Sequence, residues 1–344
     1  MSQHRIRLLV VDDSIYMQMA IRAMVVAHPD IEIVGEAVNG EQAVEMALRL
    51  RPDVITMDVN MPGVDGLEAT RRIMKQAPTR IIMLSSLTEK GATTTFRALE
   101  LGAVDYIPKS SSPIDVDLAT VAEQVATKLL FWGRQRAISG NADSRVTTNA
   151  IPQMPEGADI LLIAAGSGSP TLVGELLRAA SPLKIPALVV QEMPANFTTP
   201  FVDFLMRVTG HPVQEGEHHS PLAAGTVTVM PGGRQGVISK RATGAFALNL
   251  RPSGDTGSSG DVVASVASVA RSPLIILLSG EARALDALAA VRSDKTGAVW
   301  VQSPESCAMD ALPRAAMACG MAQAIVKPQN LVAALRRGVE RSAA

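Results

Sequence analysis

Three carboxylates, one hydroxyl and one ammonium stand at regular intervals in the first third of the chain, each at the end of a short apolar run. Asp12 and Asp13 follow the run 6–11, Asp58 follows 54–57, Ser85 follows 81–84, and Lys109 ends the run that begins at 104. Successive spacings from Asp13 through Asp58 and Ser85 to Lys109 are 45, 27 and 24 residues. Gathered in one place, such groups can hold a hard divalent cation and a phosphoryl group. Carboxylate oxygens are ligands for Mg2+, and a carboxylate can accept a phosphoryl group as an acyl phosphate. Such transfer rests on positioning and charge neutralisation more than on acid–base chemistry. Asp58 is the expected nucleophile. Asp13, Asp58, Asp12 (through water) and a backbone carbonyl of the loop at Asn60 are the expected Mg2+ ligands. Lys109 then supplies a point charge to the phosphate, and the Ser85 hydroxyl a hydrogen bond.

The elements that must position these groups follow from the same spacings. The runs are short and continuously apolar, as buried parallel strands are, and helix-like stretches separate them. The intervals correspond to two βα units, then one, then one. In an open parallel sheet, ligands bind outside the carboxyl ends of the strands, where strand order reverses. Residues 1–125 thus read as five βα units, with helix 1 capped by Ser14 and the last helix beginning near Ile114. Residues 126–157 read as a linker, rich in Gly, Asn, Ser, Thr and Pro from about 137 onward ("SGNADSRVTTNAIPQMPEG").

A second α/β pattern occupies residues 158–344. Strands are expected at 160–165, 187–190, 274–278 and 297–302, and helices at 171–179, 284–292 and 331–339. A β-hairpin is expected from 226–229 and 245–250 around "MPGGRQG", with a flexible loop at "RPSGDTGSSGD".

The whole chain narrows the classes of function. At 344 residues, 47% hydrophobic and 19% charged, it is long and apolar enough for two folded domains. A net charge of −1 offers no basic footprint for nucleic acid. No apolar run approaches the roughly 18–20 residues of a membrane span, and residues 1–7 lead into a strand with no signal-peptide core. A cytoplasmic chain is expected, without membrane insertion, its two cysteines, Cys307 and Cys319, free and buried. His218 and His219 adjoin in a polar segment and read as a solvated pair.

The segments "LLVVDDS", "DVITMDVNMPGVDG", "IIMLSS" and "GAVDYIPK" resemble the receiver domain of two-component response regulators across residues 5–125. The resemblance implies a flavodoxin-like (βα)5 domain, phosphorylated on Asp58 by a sensor histidine kinase. Asp12 and Asp13 would be the acidic pair, Ser85 the switch hydroxyl, Tyr106 the switch aromatic and Lys109 the conformational lysine. Phosphorylation would draw Ser85 in, let Tyr106 repack and bias the face near strands 4 and 5.

The segments "ILLIAAGSGSPTLVGELL", "PALVVQEMPANFTTPFVDFL", "AAGTVTVMPGG", "LIILLSGEARALDALAAV" and "VQSPESCAMDALPRAAMACG" resemble the catalytic domain of the chemotaxis protein-glutamate methylesterases, the CheB family. That resemblance implies a doubly wound parallel sheet, a Ser-His-Asp arrangement and action on chemoreceptors. The triad does not carry over. The nucleophile position is Gly166, the base position is Glu192 in "QEMP", and the aspartate's place is taken by Ala284, with Asp286 two residues later. Three readings of Gly166–Ser169 stand open. One is a degraded catalytic turn. Another is a nucleophile moved to Ser167 or Ser169 with Glu192 as a weak base. The third is a phosphate-binding turn at a helix N-terminus.

The chain is therefore expected to be a chemotaxis-type response regulator whose second domain binds or regulates. Chemoreceptor, kinase or a paralogous methylesterase are the partners this implies. The alternatives are an active methylesterase or glutamine deamidase with a rebuilt site, and a phosphate sink that only drains the kinase.

Overall fold

Four of the first five helices start where a polar side chain caps them at the carboxyl end of the sheet. The capping oxygens of Ser14, Asn39, Asp65 and Thr88 accept from the backbone N–H groups of Met17, Gln42, Glu68 and Gly91. Each such cap is worth about 1 kcal/mol against alanine. In this computed structural model, residues 5–109, 118–135, 151–252, 259–281 and 297–343 are described. The chain divides into two units, Met1–Ala142 and Asp143–Ala344.

The first unit alternates strand and helix: β1 Ile6–Val11, α1 Ile15–Val26, β2 Ile31–Ala37, α2 Gly40–Leu50, β3 Val54–Asp58, α3 Gly66–Gln76, β4 Arg80–Ser86, α4 Glu89–Glu100, β5 Asp105–Lys109 and α5 Leu118–Arg134. The sheet is parallel in the order β2-β1-β3-β4-β5, so strand order reverses between β1 and β3. Leu8, Val10, Ile82 and Leu84 are buried on one face against Ile21 and Val25 of α1 and Val125 and Leu129 of α5. Helix α5 continues to Arg134, so residues 126–134, expected in the linker, are helical. Its start is described from Leu118; the expected start near Ile114 lies outside the described residues.

The second unit contains β6 Ile160–Ala165, α6 Pro170–Ala179, β7 Ala187–Gln191, α7 Thr198–Thr209, β8 Val213–Glu215, β9 Ser220–Pro221, β10 Val227–Val229, β11 Arg234–Lys240, β12 Phe246–Pro252, α8 Ser259–Val269, β13 Pro273–Leu277 and β14 Ala298–Gln302. It closes with a helix at Ala311–Ala318 (α9), β15 Ala324–Val326 and a helix at Pro328–Ala343 (α10). Seven strands form one sheet in the order β15-β14-β13-β6-β7-β10-β8, each neighbouring pair parallel. Strand β6 lies between β7 and β13, so order reverses beside it. Leu162, Ala164, Ile275 and Leu277 are buried in the core with Val262 and Val266 of α8. Met154 lies across Gly338 of α10 so closely that a Cβ there would meet Met154 Cβ at 2.8 Å.

The hairpin is corrected. It is formed by β11 and β12 around residues 241–245, with β9 as a third antiparallel strand. The stretch 226–229 joins the main sheet instead, as β10 between β7 and β8. Val227, Thr228 and Val229 are all buried, which suits a strand inside a parallel sheet. Of the loop expected at 251–261, Arg251 and Pro252 are strand and the residues from Ser259 are helix, while 253–258 lie outside the described residues. Both cysteines are free, but Cys319 is exposed at the end of α9, against the expectation of burial. The expected helix 284–292, with Ala284 and Asp286, lies outside the described residues. Among the described residues, no helix is long and apolar enough to cross a membrane.

Candidate functional site

The reversal between β1 and β3 brings the acidic pair to Asp58. Asp12 and Asp13 leave β1, Asp58 ends β3, and carboxylate oxygens of all three lie within 4.8 Å of one another. Asp12 and Asp58 are buried, while Asp13 is exposed. Lys109, at the end of β5, reaches across the sheet and donates to Asp12 Oδ2 at 2.8 Å and to Asp58 Oδ1 at 2.8 Å. Asp12 Oδ1 accepts from the backbone N–H of Ser14, so the carboxylate also fastens the start of α1.

Burial pushes the Asp58 carboxyl above its ordinary value, and the Lys109 hydrogen bond offsets only part of that. Desolvation acts to lower the Lys109 ammonium, yet its bonds to Asp12 and Asp58 outweigh that and hold it above its ordinary value. Three carboxylates face one ammonium. That excess of negative charge, made only of hard oxygen donors, fits Mg2+.

Ser85 is fully buried at the end of β4, its hydroxyl donating to the Ser86 carbonyl at 3.3 Å. Tyr106 is buried edge-on to Phe96 of α4, with ring centroids 5.9 Å apart. Asn60 is exposed in the loop two residues beyond Asp58. The loop is held from below by Gly66, whose backbone N–H donates to the Val59 carbonyl at 3.1 Å. A Cβ at Gly66 would lie 1.9 Å from the Asp58 carbonyl oxygen, so only glycine lets α3 pass this close.

In the second unit, the reversal beside β6 brings Gly166 against Gly280. The Gly166 N–H donates to the Ser279 carbonyl at 2.7 Å, and its own carbonyl accepts from Gln191 Nε2 at 2.6 Å. A Cβ at Gly166 would stand 2.8 Å from Gly280 Cα and 2.9 Å from Glu192 Oε2. The place where a nucleophile's side chain would begin is thus occupied by a neighbouring backbone and a carboxylate. Glu192 follows β7 and is half-buried, its N–H donating to the Ala165 carbonyl at 2.9 Å. Ser169 is fully buried and its hydroxyl turns to the Ser279 carbonyl at 3.4 Å, which removes it as an accessible nucleophile. Ser167 is half-buried, and its carbonyl accepts from the Ser279 hydroxyl at 2.6 Å.

No described histidine of this unit is held at the turn. His211 bonds the Leu177 carbonyl in the last turn of α6, roughly 10 Å along the helix from its start. The rings of His218 and His219 lie tilted by 38° with centroids 3.7 Å apart, and engage Leu250 N–H and Asn249 in β12.

The sequence reading missed the groups that shape this turn. Ser279 donates to the Ser167 carbonyl and accepts from Met309 N–H, while its own N–H is held by Gln302 Oε1 at 2.9 Å. Gln302 in turn donates to the Ser306 carbonyl at 2.7 Å. Single serines and glutamines at strand ends carry no pattern that could have flagged them.

Comparison with known proteins agrees with this division. Residues 8–120 match the response regulator receiver domain and residues 161–335 the CheB methylesterase. The protein-glutamate methylesterase/protein-glutamine glutaminase 1 of Saccharophagus degradans is 31% identical, over 93% of this chain and 96% of that protein. The corresponding protein of Pyrococcus abyssi is 31% identical, over 98% and 94%. Among solved structures, the response regulator domain of Thermotoga maritima CheB is 46% identical and covers 39% of this chain and 100% of that one, with a TM-score of 0.36.

Proposed function

The chain belongs to the CheB methylesterase family, with a receiver domain ahead of the methylesterase-type domain, and from that premise we propose a chemotaxis response regulator that is switched at Asp58 and acts through binding rather than ester hydrolysis. A histidine kinase donates the phosphoryl group. An Asp58 carboxylate oxygen forms the new O–P bond as the N–P bond of the phosphohistidine breaks, and the imidazole leaves. Lys109, already bonded to Asp58, is placed to meet the incoming phosphate charge. Ser85, one strand over, has a hydroxyl that can turn from the Ser86 carbonyl to a phosphate oxygen. Asp13, Asp58 and the Asn60 carbonyl, with Asp12 through water, would hold Mg2+, which would supply further charge neutralisation. The protein works in the cytoplasm on chemoreceptors, the kinase or a paralogous methylesterase.

One observation carries the loss of hydrolysis: the nucleophile's position is a glycine whose missing side chain has no room. Removal of triad members leaves only about 10³–10⁴-fold over water, from binding and oxyanion contacts. The names of the relatives favour a second reading, an active methylesterase or glutaminase with Ser167 as nucleophile and Glu192 as base. A methyl-release assay separates the two, using methylated receptor with acetyl phosphate and Mg2+ present. The expected result is release without a burst, at most about 10³–10⁴-fold above buffer. A burst that disappears in Ser167→Ala would establish the second reading and end the first.

A further inference from the structure

We infer that Gln18 is a positioning residue for the acidic pair: its buried amide fixes the peptide that links Asp12 to Asp13, aims the Asp13 carboxylate, and so gives the receiver a preference for Mg2+ over the larger Ca2+. Gln18, Ile21 and Val25 are the buried residues of α1. They share its inward face, where apolar side chains would satisfy the packing. The glutamine instead commits both hydrogens of its amide nitrogen to backbone carbonyls. Nε2 donates to the Asp12 carbonyl at 2.8 Å and to the Ala37 carbonyl at 3.1 Å. This role presupposes that Asp12, Asp13 and Asp58 hold Mg2+, as proposed above.

The two bonds act where the chain leaves the sheet. The register of β1 with β2 ends at Val11 and Ala37, and the Asp12 N–H still donates to the Ala37 carbonyl at 3.1 Å. The Asp12 carbonyl belongs to the next peptide unit, a rigid plane set by ψ of Asp12 and φ of Asp13. Gln18 holds that plane by its oxygen, so it cannot turn without breaking a buried hydrogen bond. The plane's orientation decides where the Asp13 side chain starts and which way it points.

Asp13 depends on this support more than its neighbours do. The Asp12 carboxylate is held by the Ser14 N–H and by Lys109, and that of Asp58 by Lys109. The Asp13 carboxylate is exposed, and among the described residues no hydrogen bond or ion pair holds it. Its aim comes from the backbone. Mg2+ demands near-octahedral oxygens at about 2.1 Å, whereas Ca2+ takes roughly six to eight at about 2.3–2.6 Å in adaptable geometry. A ligand aimed by a pinned peptide favours the first ion, and the second tolerates a loose one. Groups that orient metal ligands from behind are worth roughly 10–100-fold in affinity.

Isothermal titration of the full chain with MgCl2 and with CaCl2 tests the assignment, comparing wild type with Gln18→Met, which keeps the length of the side chain and removes its donors. The expected result is a Mg2+ affinity about tenfold weaker and a Ca2+ affinity changed less than about threefold, so the preference for Mg2+ narrows. A purely structural role would lower the melting point and leave the ratio of the two affinities alone. Ile21→Val, a truncation on the same buried face of α1, provides that comparison and should keep both affinities. Melting curves check that the variants fold; Gln18→Asn, an amide one carbon too short to reach both carbonyls, replaces Gln18→Met if the latter does not. An unchanged Mg2+ affinity, an equal loss for both ions, or the same narrowing in Ile21→Val overturns the role of Gln18 and leaves the Mg2+ site standing. No saturable Mg2+ binding to wild type, or undiminished binding to Asp13→Asn, removes the site itself and the role of Gln18 with it.

Discussion

The Lys128 ammonium lies 3.1 Å from the Asp105 carboxylate, and neither side chain is more than 5% exposed. Asp105 also accepts from Trp132 Nε1 at 3.2 Å and from the Tyr106 N–H at 2.8 Å, while Lys128 donates to the Tyr106 carbonyl at 2.5 Å. Helix α5 is thereby bound to the strand that carries Tyr106 and Lys109. Breaking a buried pair by removing one partner strands the other charge, at about 3–5 kcal/mol. Lys128→Ala should therefore lower the receiver's calorimetric transition steeply. Replacing both partners with apolar residues, Lys128→Met with Asp105→Leu, should recover most of the loss. A double variant no more stable than the single would show that the hydrogen bonds, and not the stranded charge, set the penalty.

Asp58 gives the receiver a pH dependence whose sign follows from its raised carboxyl. The folded state takes up the proton more readily than the unfolded one, so ionised Asp58 costs stability. That cost is complete above the folded-state value, fades as pH falls through it, and is gone below the ordinary carboxylate range. Without divalent cations, Asp58→Asn should melt above the wild type at pH 8, and the gap should close on acidification. Adding Mg2+ should raise the wild type alone, since only it keeps all three carboxylates.

The same substitution, Asp58→Asn, should abolish labelling by phosphorylated kinase. Label found on another residue of the variant would refute the phosphoacceptor assignment.

Gly66→Ala places a methyl group against the Asp58 carbonyl, a backbone atom that cannot swing aside. Overpacking of this kind costs about 1–3 kcal/mol. The displaced strand end should also slow labelling of Asp58 by acetyl phosphate. A normal phosphorylation rate with a lowered melting point would show that β3 accommodates the shift without moving the carboxylate.

Gly166→Ser restores a hydroxyl in name, but its Cβ meets Gly280 Cα and the Glu192 carboxylate. The expected outcome is a loss of about 1–3 kcal/mol with no gain in methyl release. Gly166→Ala should cost a similar amount, because the clash begins at Cβ. If the serine variant is as stable as wild type, the β13 end has room to retreat.

Much of the receiver site could be read from the chain because each group follows its own apolar run, and parallel topology does the gathering. Asp105 and Lys128 escaped notice for the opposite reason. An aspartate in "VDYIPK" and a lysine in a helix look like surface charges until the fold buries both. In the second unit, β11 reads "RQGVISK", polar and broken by glycine, and becomes a strand only through pairing with β12. Helix α7 follows a turn that contains Pro194 and carries Pro200 in its first turn, a position helices tolerate but that reads as a break. The vacancy at Gly166 was legible as a missing hydroxyl; its contact with Gly280, over a hundred residues away, was not.

Met154 resting on Gly338 has a practical corollary for anyone dissecting this protein. A fragment opened at residue 158 would strip a hydrophobic cover from the last helix and leave bare surface prone to self-association. Cutting upstream of residue 151 spares that seam, so the boundary that matters experimentally lies earlier than the one where regular structure resumes.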